Sequence, residues 1–179
     1  MRILHAFADR GAECPALDRH GDVVRLTINP DQNRWSEVIQ ADVRQPPFAD
    51  DVTFDLGIGH PPCGGVSPMS DTGSGDSGEW PDLIPEARRL FRDHCDEWVI
   101  ENKPRDSLDA EVVLTGHMFG LDIEYERAFE TTFPVEQPPR QNKFADTSPF
   151  FYTARSRGRW ASVEGTSTPL PADQLAKHT

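Results

Sequence analysis

Short apolar runs of strand length alternate along this chain with segments of helical spacing, and this alternation restricts the possible folds. Predicted strands occupy residues 2–7, 23–28, 38–43, 52–59 and 98–101. Predicted helices occupy residues 12–20, 81–97 and 107–117. Strands that alternate with helices are typical of a mostly parallel sheet with helices on both faces. The sequence therefore predicts an α/β fold.

The C-terminal third departs from this alternation. Residues 123–129 alternate in polarity as a half-exposed strand does, and residues 149–154 are apolar enough for a late strand. No clear helix separates the two segments, so we expect an antiparallel hairpin at one edge of the sheet. A chain of 179 residues suffices for one α/β domain, and we expect a single domain over residues 1–179.

The composition narrows the functional classes. The net charge of −12 argues against broad electrostatic capture of nucleic acid, although arginine clusters at 88–92 and 155–159 leave room for a local basic face. No segment has the roughly 18 apolar residues of a membrane span, and no signal peptide is recognisable, so we expect a cytoplasmic protein. Cys14, Cys63 and Cys95 form no C-x-x-C pair, so we expect no disulfide framework and no metal site.

One of these cysteines directly follows the fourth predicted strand. Residues 60–65 read His-Pro-Pro-Cys-Gly-Gly, so two prolines stiffen the turn at Cys63 and two glycines let a substrate approach the backbone closely. The fifth strand ends at Glu101. Ligands of open α/β sheets bind at the carboxyl ends of strands, so Cys63 and Glu101 are candidates for one catalytic site. The glycine- and serine-rich residues 64–80 are interpreted as a functional lid rather than a plain linker.

These segments follow one another in the order seen in cytosine-5 DNA methyltransferases, and the chain resembles that family. Its short versions in bacteriophages and archaeal viruses are the most similar. The resemblance covers most of residues 3–135 and rests on Phe54-Asp55-Leu56, Pro61-Pro62-Cys63, Val99-Ile100-Glu101-Asn102, the segment 116–121 and the segment 126–130. It implies the Rossmann-like fold of methyltransferases that depend on S-adenosylmethionine.

The resemblance also implies a covalent mechanism. Cys63 matches the nucleophile that adds to C6 of a flipped cytosine, and Glu101 matches the carboxylate that hydrogen-bonds N3 and N4 of the base. A methyl group would then pass from S-adenosylmethionine to C5 of a cytosine in double-stranded DNA. Arg127 matches an arginine that contacts the base and supports the cysteine. Supporting positions at the base are Pro62, Gly64, Ser67 and Asn102.

Each of the three catalytic candidates also has a structural interpretation. Cys63 could be a buried core cysteine, as free cysteines commonly are. Glu101 could be a capping or turn acid, and Arg127 could be a surface charge on an edge strand. His60, beside the cysteine turn, is interpreted as a plain residue at a strand end rather than as a base or ligand.

The predicted cofactor pocket departs from the family pattern. Its residues would be Phe7, Asp9, Gly11, Thr27, Asn29, Asp42 and Pro61. The glycine-rich loop of the family, Phe-x-Gly-x-Gly, retains only Phe7 and Gly11, and Asp9 adds bulk where the backbone should pass close to the cofactor. Thr27 stands where the family has the acid that binds the ribose. Asp42 matches the family residue that lies near the adenine amino group of the cofactor.

Three functional hypotheses follow. The first is an active methyltransferase with an unusual cofactor pocket, of viral or phage type and connected with DNA modification or restriction. The second is an enzyme that uses the same cysteine and glutamate chemistry with another donor or with none. The third is a non-catalytic homologue that binds DNA or a host protein. We expect no separate target-recognition domain, and a partner chain or a second copy could complete the C-terminal motif that begins at residues 172–179.

Overall fold

A single mixed sheet organises the part of the chain that the computed structural model describes, namely residues 1–8, 13–30, 38–63, 81–105, 107–119 and 126–139. Its strands are β1 (Arg2–Ala6), β2 (Asp22–Thr27), β3 (Val38–Gln40), β4 (Phe54–Gly59), β5 (Cys95–Asn102), β6 (Val112–Leu114) and β7 (Arg127–Thr131). The helices are α1 (Cys14–Leu17) and α2 (Ile84–His94), with a 3₁₀ helix at Gly116–Phe119. No helix in these ranges is both long enough and apolar enough to cross a bilayer.

The strand order is β3-β2-β1-β4-β5-β7-β6. The first five strands of this order are parallel, whereas β7 runs antiparallel to both β5 and β6. This confirms the α/β fold, the mostly parallel sheet and the antiparallel edge. The order reverses between β1 and β4, which places a topological switch point at their carboxyl ends. Open α/β sheets bind ligands at such a point.

Several predicted elements differ from the structure. The helix expected over 12–20 is the shorter α1, and the strand expected over 38–43 ends at Gln40. The expected helix over 107–117 is wrong: Val112–Leu114 pairs with Arg127, Ala128 and Phe129 as a strand, and only a 3₁₀ helix follows it. β-Branched valines suit that pleated edge better than a helix. The expected helix over 81–97 ends at His94, because Cys95 has extended backbone angles and begins β5. The predicted strand at 149–154 lies outside the described residues.

Helix α2 covers one face of the sheet with an apolar surface. Ala87, Leu90 and Phe91 are buried there and share one core cluster with Leu4 and Ala6 of β1. A Cβ atom on β4 at position 57 would lie 2.6 Å from the Phe91 ring, and one at position 59 would lie 2.8 Å from it. Glycine at these two positions therefore allows the helix to approach the sheet closely.

The opposite face of the sheet carries the short helix α1 and buries polar side chains beside apolar ones such as Ile3. Side chains alternate along a strand, so His5 and Arg25 point away from α2. The Arg25 guanidinium donates a hydrogen bond from Nε to Cys14 Sγ at 3.0 Å and forms an ion pair with Asp18. The described helices thus lie on both faces of the sheet, as expected.

Candidate active site at the carboxyl ends of the strands

The carboxyl ends of β4 and β5 bring the predicted acid beside a histidine. Gly59 pairs with Ile100 in the parallel register, so the next residues, His60 and Glu101, emerge side by side. Nδ1 of His60 lies 3.0 Å from Oε2 of Glu101. This contact follows from the strand register, and nothing in the local sequence around either residue indicates it.

Strand β7 supplies the third member of this group. Ala128 pairs with Asn102 in the antiparallel register, which places Arg127 beside the end of β5. Nε of Arg127 lies 2.8 Å from Oε1 of Glu101, whose side chain is 17% exposed. The Glu101 carboxylate is therefore held from two sides, and the structure brings together two of the three predicted catalytic residues.

The turn that carries Cys63 is fixed from beneath by the residues after Glu101. Nδ2 of the buried Asn102 donates to the Pro61 carbonyl at 2.8 Å, and the Lys103 backbone N–H donates to Oδ1 of Asn102 at 2.9 Å. Cys63 is a free, partly buried thiol. Asn102 thus connects the Cys63 turn to the strand that ends in Glu101.

A buried lysine ammonium, which the sequence analysis missed, lies near the thiol. Burial lowers the pKa of Lys103, and the electrostatic interaction with Cys63 opposes that shift. The two side chains are therefore close enough to interact electrostatically. Lysine is one of the rarer residues in this acidic chain. Lys103 could have been noticed in the sequence because it directly follows Glu101 and Asn102.

His60 lies between two carboxylates. Its Nε2 is 3.2 Å from Oε1 of Glu13, and its Nδ1 faces Glu101. Burial disfavours the charged imidazole, but the close contacts with the Glu101 and Glu13 carboxylates outweigh it and raise the pKa of His60 to about 9. Contacts with His5 and then His60 hold the pKa of Glu13 far below its usual range. His60 is thus more than a strand-end residue, and His5 and Glu13 were not anticipated.

A cavity of about 510 Å³ opens beside this group, at the ends of β1, β2 and β3. His60 and Pro62 form the wall nearest to the candidate catalytic residues. Four of the seven predicted cofactor residues line the cavity: Phe7, Thr27, Asn29 and Asp42. Pro61 is buried in the cysteine turn. Asp9, Gly11, Gly64, Ser67 and the rest of the expected lid lie outside the described residues.

The cavity wall is mainly apolar. Phe7 has a φ of 57°, in the left-handed region that a bulky residue rarely adopts, and its ring lies against β4 near Gly59. Ile28 is 67% exposed and lines the cavity together with Val43 and Leu83. Sequence reasoning did not assign these last three residues to the pocket. Among them, Ile28 could have been noticed in the sequence, because an isoleucine at a turn is an apolar residue at an exposed position.

The polar groups of the cavity are partly engaged within the protein. Oγ1 of Thr27 accepts a hydrogen bond from the Asn29 backbone N–H at 3.3 Å. Arg44 donates to both carboxylate oxygens of Asp42 at 2.5 to 3.0 Å. These hydrogen bonds lower the pKa of Asp42. The side chain of Asn29 is exposed at the cavity.

No protein-family model and no curated protein sequence matches this chain. Solved structures with a partly similar fold include the S. pombe Dnmt2 methyltransferase (13% identity, TM-score 0.47, 83% of this chain and 58% of that chain). Another is an E. coli prophage-encoded protein described as a putative DNA modification methyltransferase (18% identity, TM-score 0.48, 81% of this chain and 54% of that chain). A third is a Spodoptera frugiperda DNMT2 mutant (18% identity, TM-score 0.49, 80% of this chain and 56% of that chain). This chain therefore spans a little over half the length of each.

Proposed function

We propose that this chain is a cytosine-5 DNA methyltransferase-like enzyme that acts on a flipped cytosine through a covalent adduct with Cys63. The observation that carries the proposal is the group formed by Glu101, Arg127 and His60 beside the cysteine turn. A carboxylate held by cationic and imidazole groups at the end of a parallel strand is well placed to orient a bound base. Cys63, the nucleophile of this proposal, belongs to the turn that follows the adjacent strand β4.

The covalent step assigns a role to Cys63. Its thiolate would form a bond to C6 of cytosine, and the C5–C6 π electrons would move toward C5 and the ring nitrogens. S-adenosylmethionine, when bound, supplies the methyl group that the nucleophilic C5 accepts. Loss of the C5 proton then re-forms the double bond and expels the thiolate of Cys63, so the protein returns to its starting state.

Glu101 would hold the base during these steps. Its Oε1 lies 2.8 Å from Nε of Arg127, and its Oε2 lies 3.0 Å from Nδ1 of His60. Each carboxylate oxygen has a second lone pair, which would accept a hydrogen bond from the exocyclic amino group of a bound cytosine. His60 and Arg127 restrict the rotation of the carboxylate, and such preorganisation is effective in catalysis because it avoids reorientation during the reaction.

The cavity fits the nucleoside part of the cofactor in most respects. Its volume is in the range of small-molecule sites, and its wall combines an apolar surface with a few polar groups. Ile28 and Phe7 offer apolar surfaces to an adenine ring. Thr27 cannot replace the missing acid fully, because a neutral hydroxyl lacks the charge and the second oxygen with which a carboxylate binds both ribose hydroxyls. The exposed side chain of Asn29 would share the ribose contact.

A methyl-transfer assay tests this function. Duplex DNA of mixed sequence is incubated with the protein and S-adenosylmethionine labelled in the methyl group, and the DNA is digested and analysed for 5-methylcytosine. We expect labelled 5-methylcytosine with wild type, none with Cys63→Ala, and wild-type amounts with Cys95→Ala as the matched cysteine control. Label in another base, or full activity of Cys63→Ala, would contradict the proposal.

A second hypothesis is favoured by one specific contact. Arg44 forms an ion pair with Asp42 and so occupies the carboxylate that would otherwise bind the adenine amino group of the cofactor. A catalytically altered homologue that binds DNA or a host protein, or that uses the same cysteine and glutamate with another donor, would have no need of that carboxylate. A thermal-shift titration with S-adenosylhomocysteine separates the two, because a ligand that binds the native state raises the melting temperature. No shift at millimolar ligand favours the second hypothesis.

A further inference from the structure

Three side chains from separate parts of the sequence converge beside the cavity. His5 lies within β1, Glu13 directly precedes α1, and His60 directly follows β4. Oε1 of Glu13 is 2.6 Å from Nε2 of His5 and 3.2 Å from Nε2 of His60. One ligand atom from each residue lies within 4.8 Å of the other two.

Ordinary hydrogen bonds do not account for this convergence. His5 is completely buried, and neither of its ring nitrogens makes a hydrogen bond of good geometry among the described residues. Oε1 of Glu13 and Nε2 of His60 lie in short contacts that likewise lack hydrogen-bond geometry. Buried polar groups normally have hydrogen-bond partners. A fully buried imidazole that faces two other atoms able to bind a metal ion therefore needs an explanation.

The contact on the far side of His60 has the form expected around a metal ligand. Its Nδ1 lies 3.0 Å from Oε2 of Glu101. A metal-binding histidine usually donates its second ring N–H to a carboxylate, which fixes the tautomer and directs the other nitrogen at the ion. Glu101 fixes the His60 ring in this way and leaves Nε2 directed toward Glu13.

We propose that His5, Glu13 and His60 form a binding site for a divalent transition-metal ion of the Zn²⁺ class. Two imidazoles and one carboxylate suit such an ion, and three protein ligands leave a coordination position open. Ligand atoms about 2.1 Å from one tetrahedral ion are roughly 3.4 Å apart, so binding requires Glu13 to shift by less than about 1 Å from His5. Cysteine spacing could not reveal this site, because none of its ligands is a cysteine.

The site would also act on the carboxylate of the proposed catalytic group. A metal at Nε2 of His60 keeps the proton on Nδ1, where it is donated to Glu101. The ion would therefore help to orient Glu101. This second consequence rests on the proposed function, whereas metal binding itself does not.

Metal binding is measured on the full chain without DNA or methyl donor. The protein is stripped with a chelator and titrated with Zn²⁺ by calorimetry, and the bound metal is counted by mass spectrometry. Co²⁺ is used as a spectroscopic probe. We expect one ion per chain, a raised melting temperature, and visible Co²⁺ bands without the charge-transfer absorption of a thiolate ligand.

Variants locate the site. His5→Ala risks misfolding because the side chain is buried, so the main variants are Glu13→Gln and His60→Gln, whose side chains are 28% and 31% exposed. Each should weaken Zn²⁺ binding at least tenfold and keep the melting temperature of the stripped protein within a few degrees. The exposed His20→Gln serves as the control and should bind like wild type.

Two results overturn the proposal. The first is the absence of Zn²⁺ binding by the stripped wild type, which would leave His60 as a cation between Glu13 and Glu101. The second is Zn²⁺ binding that keeps its wild-type affinity in both Glu13→Gln and His60→Gln, which would place the ion elsewhere. Both results come from protein without DNA or methyl donor and are read as bound metal rather than as methyl transfer, so failure of the metal site is distinguishable from failure of the proposed function.

Discussion

The two faces of the sheet are built from different chemistry. The face under α2 is apolar and closely packed, with Phe91 seated directly on Gly57 and Gly59 of β4. The opposite face buries polar side chains, His5 and Arg25, among apolar ones such as Ile3. Apolar burial is the main stabilising contribution in a domain, whereas buried polar groups stabilise little unless they are paired.

This difference indicates a division of roles. Substitutions under α2 should change the free energy of unfolding and should not change the catalytic rate of the folded protein. Substitutions at the strand ends, where His60 and Glu101 emerge, should change activity far more than stability. Variants that violate this separation would show that the two regions are coupled.

The largest expected effect is on activity. Glu101→Gln keeps the shape of the side chain but removes the charge held by Arg127 and His60. We expect the rate of methyl transfer to fall about 10²- to 10⁴-fold, as for the loss of a positioned catalytic carboxyl group. The measurement is single-turnover methyl transfer at saturating DNA, with the melting temperature recorded in parallel.

The matched control for this substitution lies on the same strand. Glu97→Gln changes an exposed glutamate near the opposite end of β5 and should retain the wild-type rate. A Glu101→Gln variant as fast as Glu97→Gln would remove Glu101 from the chemistry.

The next effect is on stability. Phe91→Ala removes a fully buried ring from the α2 face and should reduce the free energy of unfolding by about 3–5 kcal/mol. Its exposed neighbour on the helix, Arg92→Ala, should change it by less than about 0.5 kcal/mol. Urea unfolding of both variants measures this. Equal free energies of unfolding for Phe91→Ala and Arg92→Ala would show that the Phe91 ring does not stabilise this face.

The smallest effect concerns a thiol on the packed side. Burial, followed by the nearby charge of Asp96, raises the pKa of Cys95 to about 12. Because the native pKa exceeds the unfolded value, the neutral thiol stabilises the fold fully below about pH 9, and this contribution is lost as the pH rises toward 12. In the native protein at pH 8, Cys95 should react with a thiol reagent far more slowly than after unfolding. Equal rates, followed by peptide mapping, would contradict this environment.

Much of the fold was accessible from the sequence. Strands buried in a parallel sheet are nearly continuous apolar runs, and this made β1, β2 and β4 recognisable. Strand β6 was missed because its three residues gain their stability from pairing with β7, and a local pattern does not contain that contact. The early start of β5 at Cys95 was missed for a similar reason.

The candidate site was accessible only in part. Cys63 and Glu101 were identified because each ends an apolar run. The contacts of Glu101 with His60 and Arg127 depend on strand register, and His5 and Glu13 join them from distant positions. In the cavity, Ile28 and Arg44 escaped notice because their significance comes from exposure and pairing rather than from residue type.

The central claim is that Cys63 bonds covalently to a cytosine presented beside Glu101. The most direct measurement uses duplex DNA that carries 5-fluorocytosine, incubated with protein and S-adenosylmethionine. Fluorine blocks the final elimination, so the adduct persists and its peptide can be sequenced by mass spectrometry. We expect a nucleotide attached to Cys63. A nucleotide attached to Cys14 or Cys95, or no adduct under conditions that permit methyl transfer, would contradict it.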